Sequence, residues 1–254
     1  MKTVILAGGL GTRLSEETYL KPKPMVEIGQ SPILWHIMKR YEKYNFNDFV
    51  IALGYKGEYI KQYFLNYKSS NDDFSLNTRS GNLEYLASDT SEDWNVSLIS
   101  TGQNTLTGGR LLRLKSNLQS TFMLTYGDGV ADVNIEELVK FHRSHGKIAT
   151  VTAVRPQSRF GGIGLNGDIV SSFKEKPLEG DNWVNGGFFI FEPEIFDYLT
   201  DDSCILEREP LEKLAEEGNL MCYQHNGFWQ CMDTIRDKEY LNSLFLNNQA
   251  HWLK

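Results

Sequence analysis

An apolar run that passes straight into three glycines constrains this 254-residue chain more than any other feature. Val4, Ile5, Leu6 and Ala7 form a short aliphatic, partly β-branched segment of the kind buried on both faces in a central parallel strand. Gly8, Gly9 and Gly11 follow at once, with Leu10, Thr12 and Arg13 between and after them. Without Cβ atoms the backbone can take positive φ and approach an anion closely, so several N–H groups can converge on phosphate oxygens. Arg13 adds a planar cationic fork, and Lys23, between Pro22 and Pro24, adds a point charge on a stiffened segment. A dinucleotide fingerprint would need a small residue where Leu14 stands, and a Walker-type loop would end in Gly-Lys-Ser or Gly-Lys-Thr, which does not occur. A purely structural turn needs neither the third glycine nor the two flanking cations.

The rest of the chain supplies the frame such a turn requires. Ile33, Leu34, Ile37, Met38, Tyr41 and Tyr44 recur at helical spacing, and the apolar run 48–53 completes a β-α-β unit. A second amphipathic helix is expected over 58–67. The polar stretch 66–93 then reads as an excursion from the core: a surface hairpin, a subunit contact or a mobile segment. Strands are expected at 95–100, 121–125, 149–154, 169–173 and 183–191. Helices are expected from near Gly109, over 135–145 with Asn134 as cap, and at 206–217 and 235–245. This alternation predicts an α/β fold with a doubly wound, mostly parallel sheet flanked by helices, with small antiparallel additions. One domain over 1–254 is expected. The active site should lie along the carboxyl ends of the central strands.

A formal net charge of -7 argues against nucleic acid as a partner. The apolar run at the start is too short for a signal peptide, and no stretch reaches the roughly 18 apolar residues of a membrane span, so no membrane association and a cytoplasmic location are expected. Cys204, Cys222 and Cys231 lack paired metal-ligand spacing and read as buried or half-buried reduced thiols. His142 and His145 read as a solvated helix end before Gly146. Asp128, held between Gly127 and Gly129 after the apolar run 122–126, sits where a metal ligand would sit, whereas Asp132 reads as a surface turn residue. Asp233 stands before a helix, as a ligand or a cap.

Leu6 to Leu14, followed by Lys21-Pro22-Lys23-Pro24-Met25, resembles the nucleotide-binding signature of sugar-1-phosphate nucleotidylyltransferases. Leu14-Ser15-Glu16-Glu17-Thr18, Gly54-Tyr55-Lys56-Gly57, Thr107-Gly108-Gly109-Arg110, the stretch from Thr125 to Asp132 and Phe228-Trp229-Gln230 are similar to the branch that joins CTP to glucose 1-phosphate. The resemblance implies a Rossmann-like nucleotide-diphospho-sugar transferase fold, a homo-oligomer, and synthesis of CDP-glucose for deoxysugars such as those of O-antigens. It implies Mg2+ on Asp128 and Asp233, with Arg13, Lys23 and Asp128 as catalytic residues. Leu6, Ala7, Gly8, Gly9, Leu10, Gly11, Thr12, Arg13, Lys23, Thr105, Arg110 and Gly127 would then meet the nucleotide. Tyr126, Glu175, Lys176, Asn185 and Gly186 would meet the sugar phosphate, with Trp229 as a further apolar wall.

Arg110, a donor-only fork, would suit the O2 and N3 acceptors of cytosine. A thymidylyl- or uridylyltransferase for the same sugar phosphate remains open, as does a noncatalytic nucleotide-sugar sensor. A glycosyltransferase that uses the nucleotide sugar as donor is a third reading, to which Gly127-Asp128-Gly129 offers only a single carboxylate.

Overall fold

The computed structural model describes residues 1–86, 91–156, 162–166, 169–174 and 183–254, with backbone alone for 162–166 and 169–174. Nine strands position the site: β1 (Thr3–Ala7), β2 (Asp48–Leu53), β3 (Asn95–Ser100), β4 (Phe122–Tyr126), β5 (Gly129–Ala131), β6 (Ala149–Val154), β7 (Val184–Phe191), β8 (Leu220–His225) and β9 (Trp229–Cys231). Seven of them form one sheet in the order β8-β6-β7-β4-β1-β2-β3. β1 lies between β4 and β2, all three parallel, and β3 continues the parallel set at the edge. β7 runs antiparallel to both β4 and β6, and β8 is parallel to β6. The expected sheet, mostly parallel with antiparallel additions, is therefore observed.

Alternation along the central strands covers both faces. Ile5, Ala7, Phe49, Ile51 and Leu53 pack into one core with α1 (Ile33–Glu42), α2 (Gly57–Leu65), α4 (Ile135–His145) and α6 (Ile235–Leu246). Val4, Leu6, Val50 and Ala52 pack into the other with α3 (Thr107–Leu112) and α5 (Glu209–Glu216). Each fully buried aliphatic side chain contributes about 1.5–3 kcal/mol, so the strand that feeds the glycine turn is anchored from above and below. Consequently the turn is presented at the centre of the sheet's carboxyl edge.

Asn134 caps α4 by accepting from the Glu137 N–H at 3.1 Å, and Gly146 ends it at φ 62, as the sequence predicts. The excursion holds a short hairpin, Phe74–Leu76 paired with Leu83–Tyr85, exposed on both strands. Two expectations need correcting. His142 is buried, not solvated: its ring meets Thr150 Oγ1 at 2.8 Å and Glu192 Oε1 at 3.2 Å, because α4 packs its last turn onto the sheet. Cys222 is exposed, since β8 is an edge strand, while Cys204 is buried and Cys231 half-buried; all three are free thiols.

One buried histidine makes stability depend on pH. His36 in α1 has no exposed surface, donates through Nε2 to the Ile28 carbonyl at 2.8 Å, and accepts the Trp252 indole N–H at Nδ1, 3.1 Å away. A second proton would set an N–H against an N–H. Burial, only partly offset by backbone acceptors, lowers its pKa to about 4. Between that value and the ordinary 6.5 the unfolded chain binds the proton and the folded chain does not, so stability is full above pH 6.5 and is lost as pH falls. Urea unfolding should show a His36-dependent loss of about 2 kcal/mol between pH 7 and pH 5. This extra loss should be absent from His36→Gln; an equal pH dependence in the variant would refute the assignment.

Candidate active site

The parallel strands deliver four glycines to one edge. Gly8 follows β1, Gly54 follows β2, Gly127 follows β4, and Gly102 stands two residues beyond β3. The Tyr55 N–H donates to the Gly8 carbonyl at 3.2 Å, and the Gly127 N–H to the Leu6 carbonyl at 3.1 Å, stitching these strand ends together. Above them lies a cleft of about 330 Å³. Leu6, Ala7, Gly8, Gly9, Gly11, Thr12, Arg13, Lys23, Thr105, Arg110, Tyr126, Gly127 and Asp128 of the expected site all line it. Leu10 is not among the lining residues; its side chain is exposed. Gly11 adopts φ +64, and a Cβ there would come within 2.8 Å of the Thr18 methyl, so both conformation and space require glycine.

Arg110 explains the crowding around Gly8. It enters from α3, is only 4% exposed, and lays its guanidinium between Gly8 and Gly54. A Cβ on Gly8 would stand 2.2 Å from its Cζ, and one on Gly54 2.4 Å from a terminal nitrogen. The two terminal nitrogens donate to the Gly8 carbonyl at 2.9 Å, Gly102 at 2.6 Å, Leu53 at 3.2 Å and Gln103 at 3.3 Å, and to Thr101 Oγ1 at 2.9 Å. Their donor capacity is therefore spent on the protein. To read a base as the sequence suggests through a terminal nitrogen, Arg110 would have to release one of these acceptors, the Gln103 carbonyl being the longest held.

At the other end of the cleft four charged residues meet. The Lys23 ammonium, buried by the short helical turn of Lys23–Met25, donates to Asp128 Oδ2 at 2.7 Å and to Asp233 Oδ1 at 2.6 Å. Arg13 pairs with the remaining oxygen of Asp233 at 2.8 Å. Residues 128 and 233 come together because β5 and β9 form an antiparallel ribbon, Cys231 opposite Gly129, with the Met232 N–H donating to the Asp128 carbonyl at 2.8 Å. Thr234, rather than Asp233, caps α6. The Asp237 carboxylate accepts from the backbone N–H groups of both Asp233 and Thr234, which completes a capping box and leaves the Asp233 side chain to the site. Burial works against the charges of Lys23 and Asp233, but it is outweighed at Lys23 by the Asp128 and Asp233 carboxylates, and at Asp233 by Lys23 and Arg13. The Lys23 pKa lies above its ordinary value, and that of Asp233 lies below.

This arrangement suits a hard divalent cation. Two carboxylates within hydrogen-bond distance of one nitrogen are close enough to share one ion, and oxygen donors supplemented by phosphate and water are what Mg2+ prefers. No third carboxylate, histidine or cysteine completes a cage among the described residues, so phosphate oxygens would have to contribute.

On the expected sugar side, Glu175 and Lys176 lie outside the described residues. Asn185 and Gly186 occupy a β-bulge between β6 and β7, beside Gly187 at φ +79. The Trp229 indole N–H donates to the Gly186 carbonyl at 2.8 Å, and Tyr126 packs under Gly187. Asp132, expected in a surface turn, instead follows β5 outside any turn, half-buried and paired with His225 at 2.9 Å. One residue at the cleft was not foreseen: Glu207, whose carboxylate takes the Tyr126 hydroxyl. In Cys204-Ile205-Leu206-Glu207-Arg208-Glu209 nothing sets it apart from an ordinary helix entry.

A glycine turn lies at the sheet's carboxyl edge, flanked by two cations and two carboxylates, and the chain belongs to the nucleotidyl transferase family, whose model matches residues 2–237. Among its relatives are the glucose-1-phosphate cytidylyltransferases of Salmonella typhimurium and Salmonella typhi, each 49% identical over 254 residues that cover 99% of this chain and 98% of the relative. The fold is shared with the crystal structure of HddC from Yersinia pseudotuberculosis, at 23% identity and TM-score 0.71, covering 96% of this chain and 99% of that one.

Proposed function

We propose that this chain transfers the cytidylyl group of CTP to α-D-glucose 1-phosphate, giving CDP-glucose and pyrophosphate with Mg2+ as cofactor. The observation that carries the reading is the convergence of Asp128 and Asp233 on one cation beside the glycine turn. The choice of base and sugar is supported by the Salmonella relatives, which are similar over nearly the whole chain. In the reaction a phosphate oxygen of the sugar phosphate bonds to the α-phosphorus while the bond to the β-phosphate oxygen breaks. A phosphate monoester with a second pKa near 6 is already largely dianionic, so no general base is required.

The protein's work is alignment and charge neutralisation. Backbone N–H groups of Gly8 to Gly11 hold triphosphate oxygens, Arg13 adds its fork, and Lys23 supplies a point charge next to the reacting phosphates. Asp128 and Asp233 would hold Mg2+, which when bound neutralises charge on the two substrates. Lys23, bonded to both carboxylates in the cleft that holds the glycine turn, would share them with the ion. By resemblance, Lys176 takes the acceptor phosphate and Glu175 a sugar hydroxyl. We place both substrates on one domain of a cytoplasmic homo-oligomer whose partners are small molecules rather than nucleic acid or membrane. Exposed Phe74, Leu76, Leu83 and Leu86 on the excursion support subunit contact, and no described helix is long and apolar enough to cross a membrane.

Pyrophosphate release from glucose 1-phosphate and Mg2+, with CTP, UTP, dTTP, ATP and GTP offered in turn, tests the reading. CTP should be preferred at least about tenfold. Preference for another triphosphate would overturn the base while keeping the chemistry; no release with any would overturn transfer itself.

A further inference from the structure

The cleft that carries the glycine turn is also lined by Tyr126, at the end of β4, and Thr107, at the start of α3. Both hydroxyls end on one carboxylate. Tyr126 Oη donates to Glu207 Oε1 at 2.5 Å, and Thr107 Oγ1 donates to Glu207 Oε2 at 2.6 Å. The Leu206 N–H donates to Thr107 Oγ1 at 3.0 Å. Asn185 Nδ2 donates to Tyr126 Oη at 3.0 Å, while the Gly187 N–H donates to Asn185 Oδ1 at 2.8 Å. That last bond fixes the amide, since a backbone N–H must meet its oxygen.

Every link in this network has a forced direction. A carboxylate only accepts, so Glu207 draws both hydroxyl hydrogens away from the cleft. Tyr126 and Thr107 can then present only oxygen lone pairs to a ligand. Asn185 uses one N–H on Tyr126 and keeps a second beside it. An acceptor next to a donor matches a hydroxyl, which donates and accepts at once. A phosphate oxygen, which only accepts, is refused at the Tyr126 oxygen and favoured at Arg13, Lys23 and the glycine turn.

We propose that Glu207 is a positioning residue that presets this polarity, making Tyr126 Oη and Asn185 Nδ2 the pair that reads one hydroxyl of the hexose. The proposal rests on the transfer reaction proposed above and names a determinant of its sugar choice. Burial and the Glu207 carboxylate also raise the Tyr126 pKa, consistent with a phenol locked as a donor to that carboxylate.

Glu207→Gln tests it with almost unchanged shape. Glutamine accepts from one hydroxyl through its oxygen but brings an NH2 to the other, so one hydroxyl must reverse toward the cleft. Wild type should disfavour one monodeoxy analogue of glucose 1-phosphate by at least about tenfold in kcat/KM. In Glu207→Gln, and in Tyr126→Phe as the second variant, that ratio should collapse to within about threefold of unity, while KM for CTP moves less than about twofold. An analogue ratio kept by both variants, equal use of all analogues by wild type, or equal rises in both KM values would overturn the proposal. Were wild type to release no pyrophosphate at all, the transfer reading would fall. Calorimetric binding of glucose 1-phosphate and its analogues would then decide this one, with the same selectivity in wild type and variants refuting it.

Discussion

Replacing Asp233 by Asn should lower pyrophosphate release by on the order of a hundredfold or more, without unfolding the chain. The side chain holds two cations, Lys23 at 2.6 Å on one oxygen and Arg13 at 2.8 Å on the other. An amide of the same size keeps one acceptor, turns the other position into a donor facing a cation, and removes the charge that holds both in place. Lys23 retains Asp128 at 2.7 Å, so the variant does not leave a buried ammonium unpaired and should fold. Metal affinity should fall with activity, because one carboxylate remains where two converged. Mn2+ binding followed by electron paramagnetic resonance should show a dissociation constant raised at least about tenfold. Parent-like turnover and Mn2+ affinity together would remove Asp233 from the site. Lost turnover with unchanged Mn2+ affinity would leave it a role in holding Arg13 and Lys23 alone.

Asp233 also shows where a sequence stops being informative. Its place before a helix makes cap and ligand equally natural, and Thr234 settles the matter only through the three-dimensional capping box with Asp237. The partnership with Asp128 depends on β5 and β9, strands of three residues each, too short to display any periodicity. By contrast, β1 and its glycines were legible because an apolar run and a loss of side chains are local signals. The bounds of α4 were legible for the same reason, through Asn134 and Gly146. β8 was not foreseen: Leu220-Met221-Cys222-Tyr223-Gln224-His225 mixes polar and apolar residues on both faces, as an edge strand can. Nor could Glu207 be seen, because its meaning lies in which hydroxyls it meets, and these come from residues 81 and 100 positions earlier in the chain.

Arg110 is the residue whose expected role the structure changes most, and Arg110→Met separates its two readings. The guanidinium satisfies carbonyls of Gly8, Leu53, Gly102 and Gln103, which belong to the ends of the neighbouring parallel strands β1 and β2 and to the segment beyond β3. Deleting it strips buried acceptors whose desolvation costs about 1–3 kcal/mol each, although the loss is offset in part because a buried cation is itself unfavourable and burial already lowers its pKa. A net destabilisation of about 2–4 kcal/mol in urea unfolding should result. Function should suffer beyond the loss of stability, since the bond from Arg110 fixes the orientation of the Gly8 peptide, from which the glycine turn starts. Use of CTP, UTP and dTTP should therefore fall together by at least about tenfold at a temperature where the variant remains folded. A base-reading contribution would appear as an additional loss confined to CTP, superimposed on the common decrease. If Arg110→Met were as stable as wild type and lost only its preference for CTP, the clamp would have no energetic role and Arg110 would act on the base alone.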